Sequence, residues 1–265
     1  MQLLNLILMG GLAGVMAGLL GIGGGALIVP MLAIVFEGQG VNPNIIMQLA
    51  LGTSLATIVF TAISSVMAHH RRGAVNWSVF RQIAPGIVAG ALIGSAIADA
   101  LANRTLRILF VLFMFGVAAQ MARGTMTVSP HARLPGRIGV SLVGGIIGIA
   151  SALFGIGGGS MSVPFMTWCG VPAKRAVATS AAIGLPISLG GTVGYIVTGW
   201  HAPGLPPWSV GYVVLPAFAS IVVASALAAP LGARLAHRLS DVVLRRIFAL
   251  FVTLLALDML WRLLK

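Results

Sequence analysis

The sequence predicts an all-α membrane protein of two homologous halves in inverted repeat, with about eight hydrophobic segments, the first of each half broken at a Gly-x-Gly-Gly-Gly motif. Three observations carry this expectation. The chain is 58% hydrophobic and 8% charged, with mean hydropathy +1.06, whereas a soluble domain holds about 25% charged residues. The stretch 10–32 (GGLAGVMAGLLGIGGGALIVPML) returns at 144–166 (GGIIGIASALFGIGGGSMSVPFM), 134 positions later and identical at 11 of 23 positions. The basic residues, finally, sort to one membrane face under one topology and to neither under the other.

In order, the segments are 2–36, 44–68, 79–101 and 105–121, then 138–168, 176–199, 210–227 and 242–264. Each approaches or exceeds the ~20 apolar residues that cross a bilayer. Segment 2–36 would be roughly 52 Å long as one helix, against ~30 Å of hydrocarbon. It must therefore break, and Gly21–Gly25 supplies the break; in segment 138–168 the equivalent is Gly155–Gly159. Other landmarks repeat as well. Thr53-Ser54 matches Thr179-Ser180, Trp77-Ser78-Val79 and Pro85 match Trp208-Ser209-Val210 and Pro216, and Leu106-Arg107 matches Leu244-Arg245. The chain reads as a single membrane domain, 1–265, with repeat 1 at about 1–125 and repeat 2 at about 135–265. Its start lacks the basic n-region of a signal peptide, and its apolar run continues into the repeat.

Charge chooses between two topologies. If each broken segment crosses once, eight Lys and Arg lie on each side. If each turns back as a hairpin, Arg71/72/81, Arg123/133/137, Lys174/Arg175 and Arg234/238/245/246 share one side, against Arg104, Arg107, Arg262 and Lys265. Twelve against four satisfies the positive-inside rule. Three crossings then remain per half, an odd number, which makes the halves antiparallel. Both termini are expected in the periplasm of a bacterial cell, with the protein in its inner membrane. The net charge of +12 does not read as nucleic-acid binding, because the basic residues are scattered through short loops.

Paired, glycine-broken segments in equivalent positions of two halves point to a transporter's binding site. Several consecutive N–H groups just before a helix start make an anion site, reinforced by the helix dipole. The candidate substrate-binding residues are Gly21, Gly23, Gly24, Gly25, Gly155, Gly157, Gly158 and Gly159, with the hydroxyls Thr53, Ser54, Ser160, Thr179 and Ser180. The bland alternatives are tight helix packing for the glycines and bonds to helix carbonyls for the hydroxyls. For Gly10, Gly14 and Gly18 packing is the preferred reading. Ser151 and Ser162 flank the second break, and Gln48 and Gln120 are further amide donors. The string is neither a Walker A loop nor a dinucleotide fingerprint, since no Gly-Lys-Ser/Thr and no βαβ unit accompany it.

No nucleophile stands beside a base and no His/Cys/Asp/Glu set has metal spacing, so catalytic residues, metal and cofactors are all expected to be none, and the chain is not read as an enzyme. The lone Cys169 reads as a small apolar filler. Asp258 and Arg262 form a helical i,i+4 pair.

The two Gly-x-Gly-Gly-Gly-x4-Pro strings (23–30 and 157–164), Gly-Thr-Ser with Ala-Thr-Ser, and the paired Leu-Arg together resemble the TauE/SafE family, the sulfite exporter or toluene-sulfonate uptake permease family. The resemblance covers essentially the whole chain. It implies an inner-membrane transporter for a small sulfur-containing or organic anion of the sulfite, sulfonate or carboxylate class. An anion leaving a negative-inside cell gains ~2.3 kcal/mol per charge per 100 mV, and no carboxylate sits at mid-membrane to couple uptake, so export or facilitated diffusion is expected. The alternatives are a passive anion channel and a membrane subunit or enzyme of a sulfur-metabolising assembly. Expected partners are the small anion and the lipid bilayer, with no nucleic acid.

Overall fold

The computed structural model describes residues 11, 15, 25–123, 134–236 and 241–264. Among these the chain forms nine helices and one short strand pair. The helices are α1 (Gly25–Gly38), α2 (Ile46–Arg71), α3 (Trp77–Ala100), α4 (Asn103–Arg123), α5 (Arg137–Phe154), α6 (Gly159–Trp168), α7 (Ala173–Thr198), α8 (Leu215–Ala236) and α9 (Asp241–Leu264). Strands β1 (Ser209–Val210) and β2 (Val213–Val214) pair antiparallel. Five helices, α2, α3, α4, α5 and α7, are long and apolar enough to cross a membrane. Of segment 2–36, only its last part, α1, is a described helix.

One landmark behaves differently in the two halves. Trp77-Ser78-Val79 opens α3, capped by Asn76, whose side chain accepts from Val79 N–H at 3.3 Å. In its counterpart, Trp208 lies in a turn and Ser209-Val210 forms β1, and α8 starts at Leu215, five residues later than the hydropathy suggests. The cause is local. Pro206 and Pro207 precede it, and Trp208 and Gly211 both take positive φ, so the chain turns over before a helix can begin.

Helix directions follow from which residues meet. Gly86, Gly90 and Gly94 of α3 face Ser141, Gly145 and Ile149 of α5, in step and therefore parallel. The backbones touch: a Cβ on Gly94 would stand 2.6 Å from Ile149 O, and one on Gly144 2.5 Å from Ile83 O. This is small-residue packing of the kind membrane helices use. Gly144 and Gly148 are the copies of Gly10 and Gly14, so the second-half members of that row do serve packing. The far side of α5 presents exposed Ile138, Leu142 and Ile146 in an i, i+4, i+8 row. Such a stripe suits lipid, not water.

Helix α7 is also parallel to α3, since Gly190 meets Ala91 and Gly194 meets Ser95. It runs antiparallel to α2, with Gly52 on Tyr195, Gly191 on Leu55 and Gly184 near Ala62. Because α5 and α7 both run with α3, the chain between them must come back through α6. Segment 138–168 is therefore a hairpin, turning at Gly155–Gly158. Arg71, Arg72, Arg81, Arg137, Lys174 and Arg175 thus lie at one end of the bundle, and Glu37, Arg104, Arg107 and Arg262 at the other. The core is centred on α2, buried all round from Ile46 to Leu55, and on the facing side of α7.

Candidate functional site

The second break is built by two left-handed glycines. Gly155 (φ +59°) ends α5 in a Schellman motif: Ile156 N–H donates to Ser151 O at 3.0 Å and Gly155 N–H to Ala152 O at 3.3 Å. Gly158 (φ +75°) caps α6, and its carbonyl accepts from Met161 N–H, Ser162 N–H and the Ser162 hydroxyl. Both conformations are open to glycine and strained for other residues. Gly157 has no such need, so its lack of a side chain serves space and not conformation.

Two carbonyls beside the turn accept from side chains: Tyr195 Oη–H reaches Ala152 O at 3.0 Å, and Ser54 Oγ–H reaches Gly155 O at 2.9 Å. The N–H groups of Gly157, Gly158, Gly159 and Ser160, in contrast, have no acceptor among the described residues. Two hydroxyls lie with them. Ser151 Oγ is fully buried, 3.4 Å from where a Cβ on Gly158 would sit, and Ser160 Oγ is enclosed; neither has a partner among the described residues. Buried polar groups are nearly always satisfied, so this set of donors lacks its complement. The N-terminus of α6 adds partial positive charge at the same spot. Such a cluster of donors can hold a small anion.

Of the other candidates, Gly25 opens α1 against this break. A Cβ on it would stand 2.5 Å from Gly155 O and 3.0 Å from Ile156 Cα, so the last glycine of the first string touches the first of the second. Gly21, Gly23 and Gly24 lie outside the described residues. Ser54 holds the break through Gly155, and Ser180 joins Ser162, Oγ to Oγ at 2.7 Å, one turn into α6. Thr53 and Thr179 act elsewhere, each across the halves. Thr53 Oγ1 accepts from Val214 N–H at 3.1 Å, ahead of α8, and Thr179 Oγ1 accepts from Asn76 N–H at 2.9 Å, ahead of α3. Gln48 is buried but its amide donates to Ala98 O and Leu101 O, closing the end of α3.

Ser151 is the residue that a reading by repeats undervalues. Its first-half counterpart is Ala17, and those of Ser160 and Ser162 are Ala26 and Ile28. The hydroxyls belong to the second copy alone, and that departure from the repeat is the signal that marks them. Among the described residues no group of His, Cys, Asp and Glu has the geometry to hold a metal ion. Cys169 is buried, and burial pushes its thiol up from the ordinary value.

Comparison with known proteins finds relatives along nearly the whole chain. The family described as "Sulfite exporter TauE/SafE" matches residues 6–259. A Haemophilus influenzae protein named a probable membrane transporter is 36% identical over 261 residues, covering 96% of each chain. A Xylella fastidiosa protein of the same name is 34% identical, covering 96% of this chain and 93% of its own. One from Methanocaldococcus jannaschii, likewise named, is 29% identical, covering 96% and 94%. No solved structure matches the chain. The chain belongs to the sulfite exporter TauE/SafE family of multi-pass membrane proteins.

Proposed function

We propose that this protein is a secondary transporter that moves a small sulfur-containing or organic anion, of the sulfite, sulfonate or carboxylate class, across the bacterial inner membrane. The anion binds at the glycine breaks: at the N–H groups of Gly157 to Ser160, at Ser151 and Ser160, and at the matching glycines of the first string. One observation carries this reading, the cluster of N–H and O–H donors at the second break that has no acceptor among the described residues. Neutral donors suit a small mono- or divalent oxyanion that must also leave, where a buried Lys or Arg would hold it. The two halves form an inverted repeat, with the arginine-rich end cytoplasmic by the positive-inside rule and both termini periplasmic. Net flow is export or facilitated diffusion, because the membrane potential drives anions outward.

The test is flux from proteoliposomes under an inside-negative potential, using labelled sulfite, sulfate, sulfoacetate, taurine and small carboxylates. Saturable, potential-driven efflux of one anion, lost in Ser151→Ala/Ser160→Ala, is the expected result. Saturable transport of a neutral or cationic solute that anions do not inhibit refutes it. Topology is checked separately: Gln39→Cys should react with an impermeant reagent applied from outside, and reaction only after permeabilisation reverses the orientation.

A further inference from the structure

At the end of the bundle opposite the arginine-rich one, α1, the loop that follows it, α2, α4 and α9 border an open concavity of about 450 Å³. We propose that it is a second anion site, taking a carboxylate or sulfur oxyanion in solution. Its polar lining is Glu37, Asn103, Arg104, Arg107 and Arg262. The site stands on its own geometry and does not depend on the reading of the glycine breaks.

Charge bookkeeping within the concavity leaves a deficit of acceptors. Arg107 is only 7% exposed, a place where a guanidinium needs full compensation. Its terminal nitrogen meets Glu37 Oε1, but its enclosed Nε has no hydrogen-bond partner among the described residues. Glu37 is shared, since its Oε2 also takes Arg262 at 3.2 Å. Arg262 Nε in turn pairs with Asp258 at 2.7 Å. Arg104 has no acidic partner among the described residues. Among the described residues, three lining guanidiniums thus share Glu37 and the neighbouring Asp258, with Arg104 left without a carboxylate and Arg107 incompletely bonded. The fork of an arginine matches the oxygens of carboxylate and sulfur oxyanions in pairs.

Topology gives no other reason for these arginines. Positive charges that only orient a membrane protein collect at the opposite end, where Arg71, Arg72, Arg81, Arg137, Lys174 and Arg175 lie. The volume falls within the usual range for small-molecule sites and leaves room for a hydrated anion. Helix α1 runs from Gly25 at the second break to Glu37 at the rim, so one 14-residue element joins the two places.

The test reads accessibility and sign together. In full-length protein in lipid-free detergent carrying Cys169→Ser and Pro43→Cys, the new thiol lines the concavity. Its reaction rates with the anionic sulfonatoethyl and the cationic trimethylammonioethyl methanethiosulfonates are compared. The anionic reagent should react roughly tenfold faster or more once intrinsic reactivities are divided out, as a cleft of one sign concentrates its counter-ion. Inorganic sulfate should slow it, and Arg104→Gln should bring the ratio close to one without disturbing the fold, since Arg104 is exposed and has no acidic partner among the described residues. Glu37→Gln/Arg107→Gln, which removes both members of a pair, should lose the sulfate protection. Ser151→Ala, which removes a hydroxyl from the break, should leave ratio and protection unchanged. A cationic reagent that reacts as fast, or a rate that sulfate does not touch, overturns the proposal. Protection by phosphatidylglycerol but not by sulfate overturns it too, assigning the arginines to lipid.

Discussion

Two neighbouring glycines of one string should respond differently to the same methyl group. Gly158 sits at φ +75°, where a side chain costs about 1–2 kcal/mol. A Cβ there also overlaps Ile187 Cδ1, and forcing an extra methyl into a packed core costs about 1–3 kcal/mol. Gly158→Ala should therefore destabilise by about 2–5 kcal/mol. Gly157→Ala places its Cβ 3.4 Å from Ile58 Cγ2, ordinary contact at an unstrained φ, and should cost less than about 1 kcal/mol. The two Gly158 terms can be separated, because Ile187→Val deletes the clashing Cδ1 itself. Alone it should cost about 0.5–1.5 kcal/mol. Combined with Gly158→Ala it should relieve the overlap and leave only the backbone strain, giving a favourable coupling on the order of 1–2 kcal/mol. The assay is unfolding by sodium dodecyl sulfate titrated into mixed micelles, read by tryptophan fluorescence. Equal destabilisation by the Gly157 and Gly158 variants, or additive behaviour of the Gly158/Ile187 pair, refutes this account of the break.

Other expectations concern the frame around the site. Thr53→Val and Thr179→Val each strip the acceptor from a backbone N–H, of Val214 and Asn76 respectively; each should lower stability by about 1–3 kcal/mol, and serine at the same position should restore most of it in the same unfolding titration. Gly90→Leu drives a side chain into the backbone of Gly145 and should prevent α3 from docking on α5, seen as loss of membrane-inserted protein on immunoblots, whereas Gly116→Leu, on an open face, should accumulate normally. Cys169 should resist maleimide at neutral pH in the folded protein. Because burial raises its thiol, the rate should climb only at a higher pH than for an exposed cysteine, and denaturation should abolish the difference.

Hydropathy made the helices of the second half and of the centre legible to within a few residues, because a bilayer demands long apolar runs and tolerates few charges. The exception, α8, shows the limit: its register was set by proline and positive-φ turns that hydropathy does not weigh. The glycine string announced a break, but not that two of its glycines meet conformational demands while Gly157 leaves only room. The hydroxyls were least legible. Thr53 and Thr179 read as ligand donors because they fall early in their segments, near the breaks. In the structure they share a further task, each satisfying a backbone N–H supplied by the other half. Repetition selects for what both halves need, which is the contact between them. A single substrate approaching two inverted copies needs no such symmetry, since each copy can contribute different groups. Ser151 and Ser160, present in one copy and without a partner among the described residues, are therefore better hydroxyl candidates for contact with the anion than Thr53 and Thr179.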